Sequence, residues 1–274
     1  MGYRTILLQM FEDDALPRRL TRAVDLARHF ESHLIGLNVA PPPVMPFGYG
    51  EAAAYVGPEI FEAQRKANAT IARRLEEAFT RATADLDIPA TWHSLDGDYV
   101  TVFAKAAHTA DLVVTGQMPG DVLDALAPQL TEYLVTEAGG PVLMLPASRA
   151  GEGMAQRIVL GWNGSKEAKR AMLGSLAFLK EAARVWLVTV GDPEAVRLEA
   201  ARAMLQLHGI EAEPVILEDT GQEAGASLLD QVQSRNADLL VMGAYGHSRL
   251  RELFLGGATR HVLQETKVPI LFGG

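Results

Sequence analysis

The residues of this chain best suited to grip an anion lie in one stretch, Met242-Gly-Ala-Tyr-Gly246-His-Ser-Arg-Leu-Arg-Glu-Leu-Phe-Leu-Gly256-Gly-Ala-Thr259. It leaves an apolar run through Gly243 and Gly246 and reaches the pair Gly256 and Gly257 where a helical pattern begins. Glycine lets backbone approach a ligand closely, and a helix start offers unpaired N–H groups and positive potential to a phosphate. The cradle so formed would be built from backbone rather than from lysine. The glycine spacing fits equally well with loops that only turn. No lysine follows these glycines as a P-loop requires, and no Ser, His and Asp set is ordered around a nucleophile elbow, so the parts for rapid phosphoryl transfer are not in view. His29 and His33 stand four apart, the spacing by which one helix face can offer two imidazoles to a metal, but no third ligand accompanies them and solvated helix histidines are the plainer reading.

The elements that must position this stretch come from a repeat. Ala110-Asp-Leu-Val-Val-Thr-Gly116 returns as Ala237-Asp-Leu-Leu-Val-Met-Gly243, 127 residues later. Each copy is followed by a matching ending, Gly140-Pro-Val-Leu-Met-Leu-Pro146 and Val268-Pro-Ile-Leu-Phe272. The openings Tyr3-Arg-Thr-Ile-Leu-Leu8 and Gln156-Arg-Ile-Val-Leu160 correspond at an offset of 152, and Val39 and Val190 at 151, so the first half carries about 24 extra residues after its second strand. Short β-branched runs alternate with longer helical patterns, as in βαβ units with a parallel sheet. In the second half the pattern predicts strands near 157–162, 184–190, 213–217, 238–242 and 269–272, and helices over 166–182, 194–208, 222–235 and 257–266. The small and glycine residues of 147–154 mark a linker between domains 1–147 and 155–274.

With Gly243, Gly246 and Gly256 placed after the fourth strand, the chain resembles the universal stress protein family along nearly its whole length, twice. The resemblance implies an α/β fold of two tandem doubly wound, Rossmann-like sheets, each five-stranded and parallel in the order 3-2-1-4-5. It also implies an adenine nucleotide site in which Gly243, Gly246, Gly256, Gly257, Ala258 and Thr259 line phosphate and ribose. The family often has serine at Gly257, which here leaves a backbone N–H without the hydroxyl. The adenosine end would come from Gly161, Trp162 and Asn163, where ATP-binding members usually carry aspartate at the position of Asn163; asparagine hydrogen-bonds without the charge. Val190 and Met242 match positions that pack on adenine, with ordinary core as the alternative. Trp162 either stacks on the base or packs the strand end, and His247 either reaches a terminal phosphate or follows the loop without a role.

The first half departs from the pattern. After Gly116 it reads Gln-Met-Pro-Gly120-Asp-Val-Leu-Asp124, with the second glycine displaced and carboxylates where phosphates would lie. Its first strand leads into the acidic turn Gln9-Met-Phe-Glu-Asp-Asp14. A degenerate copy serving as structural partner is expected. The net charge of −9 disfavours nucleic acid and anionic lipid as partners. No apolar stretch reaches the ~20 residues of a membrane span, and the opening residues do not read as a signal peptide. There is no cysteine to support disulfide or thiolate chemistry.

The expectation is a cytoplasmic stress-response regulator that binds ATP, ADP or AMP with Mg2+ or Mn2+ in its C-terminal domain and acts on unidentified protein partners. Its two final strands would meet across a pseudo-twofold axis as an intrachain pseudo-dimer, and two chains would be free to pair as a homodimer. A nucleotide-independent interaction module and a weak ATPase are the rival readings. The proline and aromatic arm at 41–50 either covers a surface or forms a plain loop.

Overall fold

The apolar runs of both halves become strands of one sheet. A computed structural model describes residues 2–43, 58–85, 87–117, 134–146, 155–221, 224–244, 261–263 and 265–273. The first half contributes β1 (Thr5–Gln9), β2 (His33–Ala40), β3 (Ala90–Asp96), β4 (Leu112–Gly116) and β5 (Pro141–Leu145). The second contributes β6 (Arg157–Gly161), β7 (Arg184–Val190), β8 (Ala212–Leu217), β9 (Leu239–Gly243) and β10 (Ile270–Gly273). Their order is β3-β2-β1-β4-β5-β10-β9-β6-β7-β8, so each half shows the expected 3-2-1-4-5 arrangement. Pairing is parallel within each half. The halves join through the antiparallel pair β5 and β10, with Leu271 opposite Leu143 and Phe272 opposite Val142.

Helices α1 (Leu16–Phe30), α2 (Pro58–Thr83), α4 (Lys166–Gly174), α5 (Leu176–Leu179) and α6 (Leu198–Leu207) cover one face; α3 (Tyr99–Ala107), α7 (Ala224–Ser234) and helical residues at 134–137 and 261–263 cover the other. Both apolar layers hold residues of both halves. Central strands such as β4 and β5 are buried without alternation, because helices exclude water from both faces.

On the first face the seam is aromatic. Tyr3, Phe30 and Phe178 meet pairwise with ring centroids 5.1 to 5.6 Å apart, and the Tyr3 hydroxyl donates to the Gly174 carbonyl at 2.6 Å. Burial pushes the Tyr3 phenol far above its ordinary pKa, so it remains a donor. His29 on the first half and Glu181 on the second bond beside it.

Several sequence expectations change in detail. The helix expected over 166–182 is interrupted at Ser175 (φ −97°, ψ 3°), where the Gly174 carbonyl turns to Tyr3. The helix expected from 194 begins at Leu198, because residues 193–197 form turns closed by Arg197 in the left-handed region. His29 and His33 do not share a helix: Glu31, at φ 53°, ends α1, and His33 opens β2 with its Nε2 on the Thr91 hydroxyl. Most of the 41–50 arm, the 147–154 linker and the helix start at 257–260 lie outside the described residues.

Replacing Tyr3 with Phe keeps the ring and removes the bond to Gly174. The expected cost is about 1 kcal/mol, since a half-buried carbonyl loses its donor, read as a lowered urea midpoint. An unchanged midpoint would deny the hydroxyl any part in holding the halves together.

Candidate functional site

In each half the strand order reverses between the first and fourth strands, and the crevice beyond their carboxyl ends is where open α/β sheets receive ligands. In the second half that place lies between β6 and β9. Leu160 pairs with Val241, which sets Gly161 beside Met242, and a Cβ on Gly161 would stand 3.7 Å from that of Met242 and 2.9 Å from Leu228. Gly161 therefore admits the α7 side chain at the strand end. Met242 is buried, and Val190 closes β7 half-buried.

The loop after β6 is organised by its own side chains. Asn163 Oδ1 accepts the Ser165 N–H at 3.1 Å, and Ser165 Oγ accepts that of Ala168 at 3.1 Å, capping α4. Gly164, at φ +75°, lies against Val196, and the Trp162 indole donates to the Val196 carbonyl at 2.7 Å. Trp162 thus ties two loops together. Asn163 is exposed at the rim with its carbonyl already used in the cap. Gly243 has a structural task as well: a Cβ there would lie 2.4 Å from the Ala168 nitrogen, so the first turn of α4 seats directly on the end of β9. Gly246, His247, Gly256, Gly257, Ala258 and Thr259 lie outside the described residues. Among the described residues no three His, Asp or Glu side chains gather as a metal site.

The corresponding place in the first half, beyond β1 and β4, is filled. Arg19, 2% exposed, sends its guanidinium back over the strand ends, where it meets Asp13 at 3.1 Å and donates to the carbonyls of Gln9 and Phe11. It stacks on the Phe11 ring at 3.8 Å. A Cβ on Gly116 would stand 2.6 Å from Arg19 Nη1, so glycine is what admits the side chain. Beneath it the buried Gln9 amide bridges the hydroxyls of Tyr99 and Thr115. Desolvation lowers the Arg19 pKa, with Asp13 opposing the shift, and burial raises that of Tyr99. Glu12 pairs with Arg74 at 2.8 Å, so two carboxylates of the acidic turn are neutralised within the fold. Sequence reasoning read the turn as bare charge and missed Arg19. The signal was available: Arg19 falls on the apolar stripe of α1 with Ala23, Leu26 and Phe30.

Comparison with known proteins adds the following. A family model described as the universal stress protein family matches residues 2–146 and again 154–272. Universal stress protein Slr1230 of Synechocystis sp. is 41% identical over 91 residues, covering 31% of this chain and 30% of that protein. The chain thus matches about three tenths of that relative's length. A universal stress protein structure from Archaeoglobus fulgidus has a TM-score of 0.72 at 16% identity, covering 97% of both chains. A protein of Pseudomonas aeruginosa PAO1, described as functionally unknown, has a TM-score of 0.61 at 18% identity, covering 98% of this chain and 92% of that one. At these identities the structural likeness is one of fold.

Replacing Arg19 with Met leaves the Asp13 carboxylate buried without its partner, and a loss of about 3–5 kcal/mol is expected. Changing Asp13 to Leu as well removes the stranded charge and should recover part of that loss in urea unfolding. Equal stability of wild type and single variant would contradict the buried pair.

Proposed function

The chain belongs to the universal stress protein family, and we propose that it is a stress-response regulator whose second half, 155–274, binds ATP or a related adenine nucleotide, ADP or AMP. The first half, 1–147, is its structural partner. The observation that carries this reading is the difference between the two switch points. At the first, Arg19 and Gln9 fill the space beyond the strands with an internally satisfied network. At the second, Gly161, Met242 and Val190 stand together at the ends of adjacent strands, with Asn163 at the rim.

The described residues fit the nucleoside end of such a ligand. Val190 and Met242 supply apolar surface for a flat base, Gly161 adds no side chain of its own, and the Asn163 amide offers hydrogen-bonding capacity without charge. The glycines at 243, 246, 256 and 257 with Ala258 and Thr259 supply the backbone N–H groups for phosphates, and His247 belongs to the same stretch of sequence. A bound Mg2+ or Mn2+ would neutralise phosphate charge and take oxygen ligands from the phosphates themselves. Occupancy would alter what the loop from 243 to 259 presents to protein partners, because a ligand shifts the states that it contacts unequally. Regulation rather than turnover is the output. A cytoplasmic location and pairing of two chains complete the reading. Among the described residues no helix is long and apolar enough to cross a membrane.

The test is to denature freshly purified protein and identify any released nucleotide by mass spectrometry, beside a variant with Gly246 and Gly256 both changed to Val. Adenine nucleotide from the parent alone is expected. Release from neither, with no binding of added ATP and Mg2+, would leave a nucleotide-independent interaction module as the better reading.

A further inference from the structure

The end of β4 in the first half touches the helical turn that follows the candidate phosphate loop in the second. Gln117, directly after β4, donates from Nε2 to the Leu263 carbonyl at 2.8 Å, and its own N–H is anchored on the Leu145 carbonyl of β5 at 2.8 Å. Leu263 stands six residues beyond Gly257 in the chain. It and the fully buried Val262 belong to an apolar cluster that also holds Leu134, Val135 and Ala138 of the first half. The turn is anchored on its other side as well: the Thr266 N–H returns to the Val262 carbonyl at 3.1 Å, and its hydroxyl donates to the Val268 carbonyl at 2.7 Å, just before β10.

This contact is not repeated by symmetry. The repeat that carries Gly116 onto Gly243 carries Gln117 onto Ala244, whose methyl group has no donor to send across the seam. The polar reach therefore runs from the first half to the second.

We propose that Gln117 is a positioning residue for the nucleotide site of the second half, holding the helical residues at 261–263 within the apolar cluster that also contains Met242. The proposal rests on the nucleotide-binding reading above and adds the first half to it. Preorganising a segment that a ligand needs strengthens binding by reducing what must be ordered on association. Because coupling is reciprocal, occupancy of the second half is then felt at the end of β4 in the first.

The experiment compares the full chain with Gln117→Met, which keeps the length and loses the donor, and with Gln117→Ala. Equilibrium dialysis with ATP and Mg2+ measures affinity, and hydrogen exchange at amides 112–117 is followed with and without nucleotide. The expected result is about fivefold weaker binding in both variants, the scale of one hydrogen bond. Wild-type amides 112–117 should exchange more slowly with nucleotide bound, and the variants should lose that response. A merely structural role would lower thermal stability and leave the affinity and the response intact. Wild-type binding with unchanged affinity in the variants, or with no response at 112–117, overturns the positioning role alone. Failure of the wild type to bind overturns this proposal together with the nucleotide reading.

Discussion

The antiparallel pairing of β5 with β10 is the constraint on which the rest of the molecule depends. Each half alone is an open parallel sheet that would present its fifth strand as an unpaired edge, with a row of N–H and C=O groups facing outward. Pairing the two edges satisfies those groups and aligns Val142 with Phe272 and Leu143 with Leu271. It also lets the helices of the two halves meet, Phe30 against Phe178 on one face, with Leu134 and Leu263 sharing one apolar cluster on the other. The strand pair sets the geometry, and the side chains on both faces make that geometry costly to leave.

From this arrangement the two switch points emerge as unequal. Both stand at the carboxyl ends of a first and a fourth strand, and both end their fourth strand in glycine, at Gly116 and Gly243. The glycines serve different ends: Gly116 makes room for a guanidinium, whereas Gly243 makes room for the first turn of a helix. One half has closed its crevice with a group satisfied by Asp13 and two carbonyls; the other ends its strands in small and apolar residues.

Much of this architecture was legible in the sequence because burial on both faces leaves a plain mark. Runs such as Leu112–Gly116 and Arg184–Val190 are continuous and β-branched, and the family resemblance implied their order in the sheet. The pairing of β5 with β10 was implied by the resemblance to the family rather than by any local pattern. What escaped depends on contacts distant in the chain. Nothing local to Gly174 announces that a tyrosine 171 positions earlier will take its carbonyl and divide the helix. The start of α6 comes later than expected because residues 193–197 form turns, with the Asp192 side chain accepting the Glu194 N–H at their opening. Trp162 and Gly243 carry packing duties that composition and spacing leave ambiguous. Arg19 was overlooked because arginine is read by habit as surface, although its place on an apolar stripe spoke against that.

Joining the two copies in one polypeptide has a consequence that a pair of identical subunits could not share. In a homodimer every substitution appears twice, so a plug like Arg19 would close both crevices together. A tandem chain escapes that bookkeeping, since each copy drifts under its own selection while the covalent link keeps the partner present at any dilution. One copy is thereby free to fill its crevice without filling the other's, and the asymmetry is inherited with the gene rather than chosen at assembly.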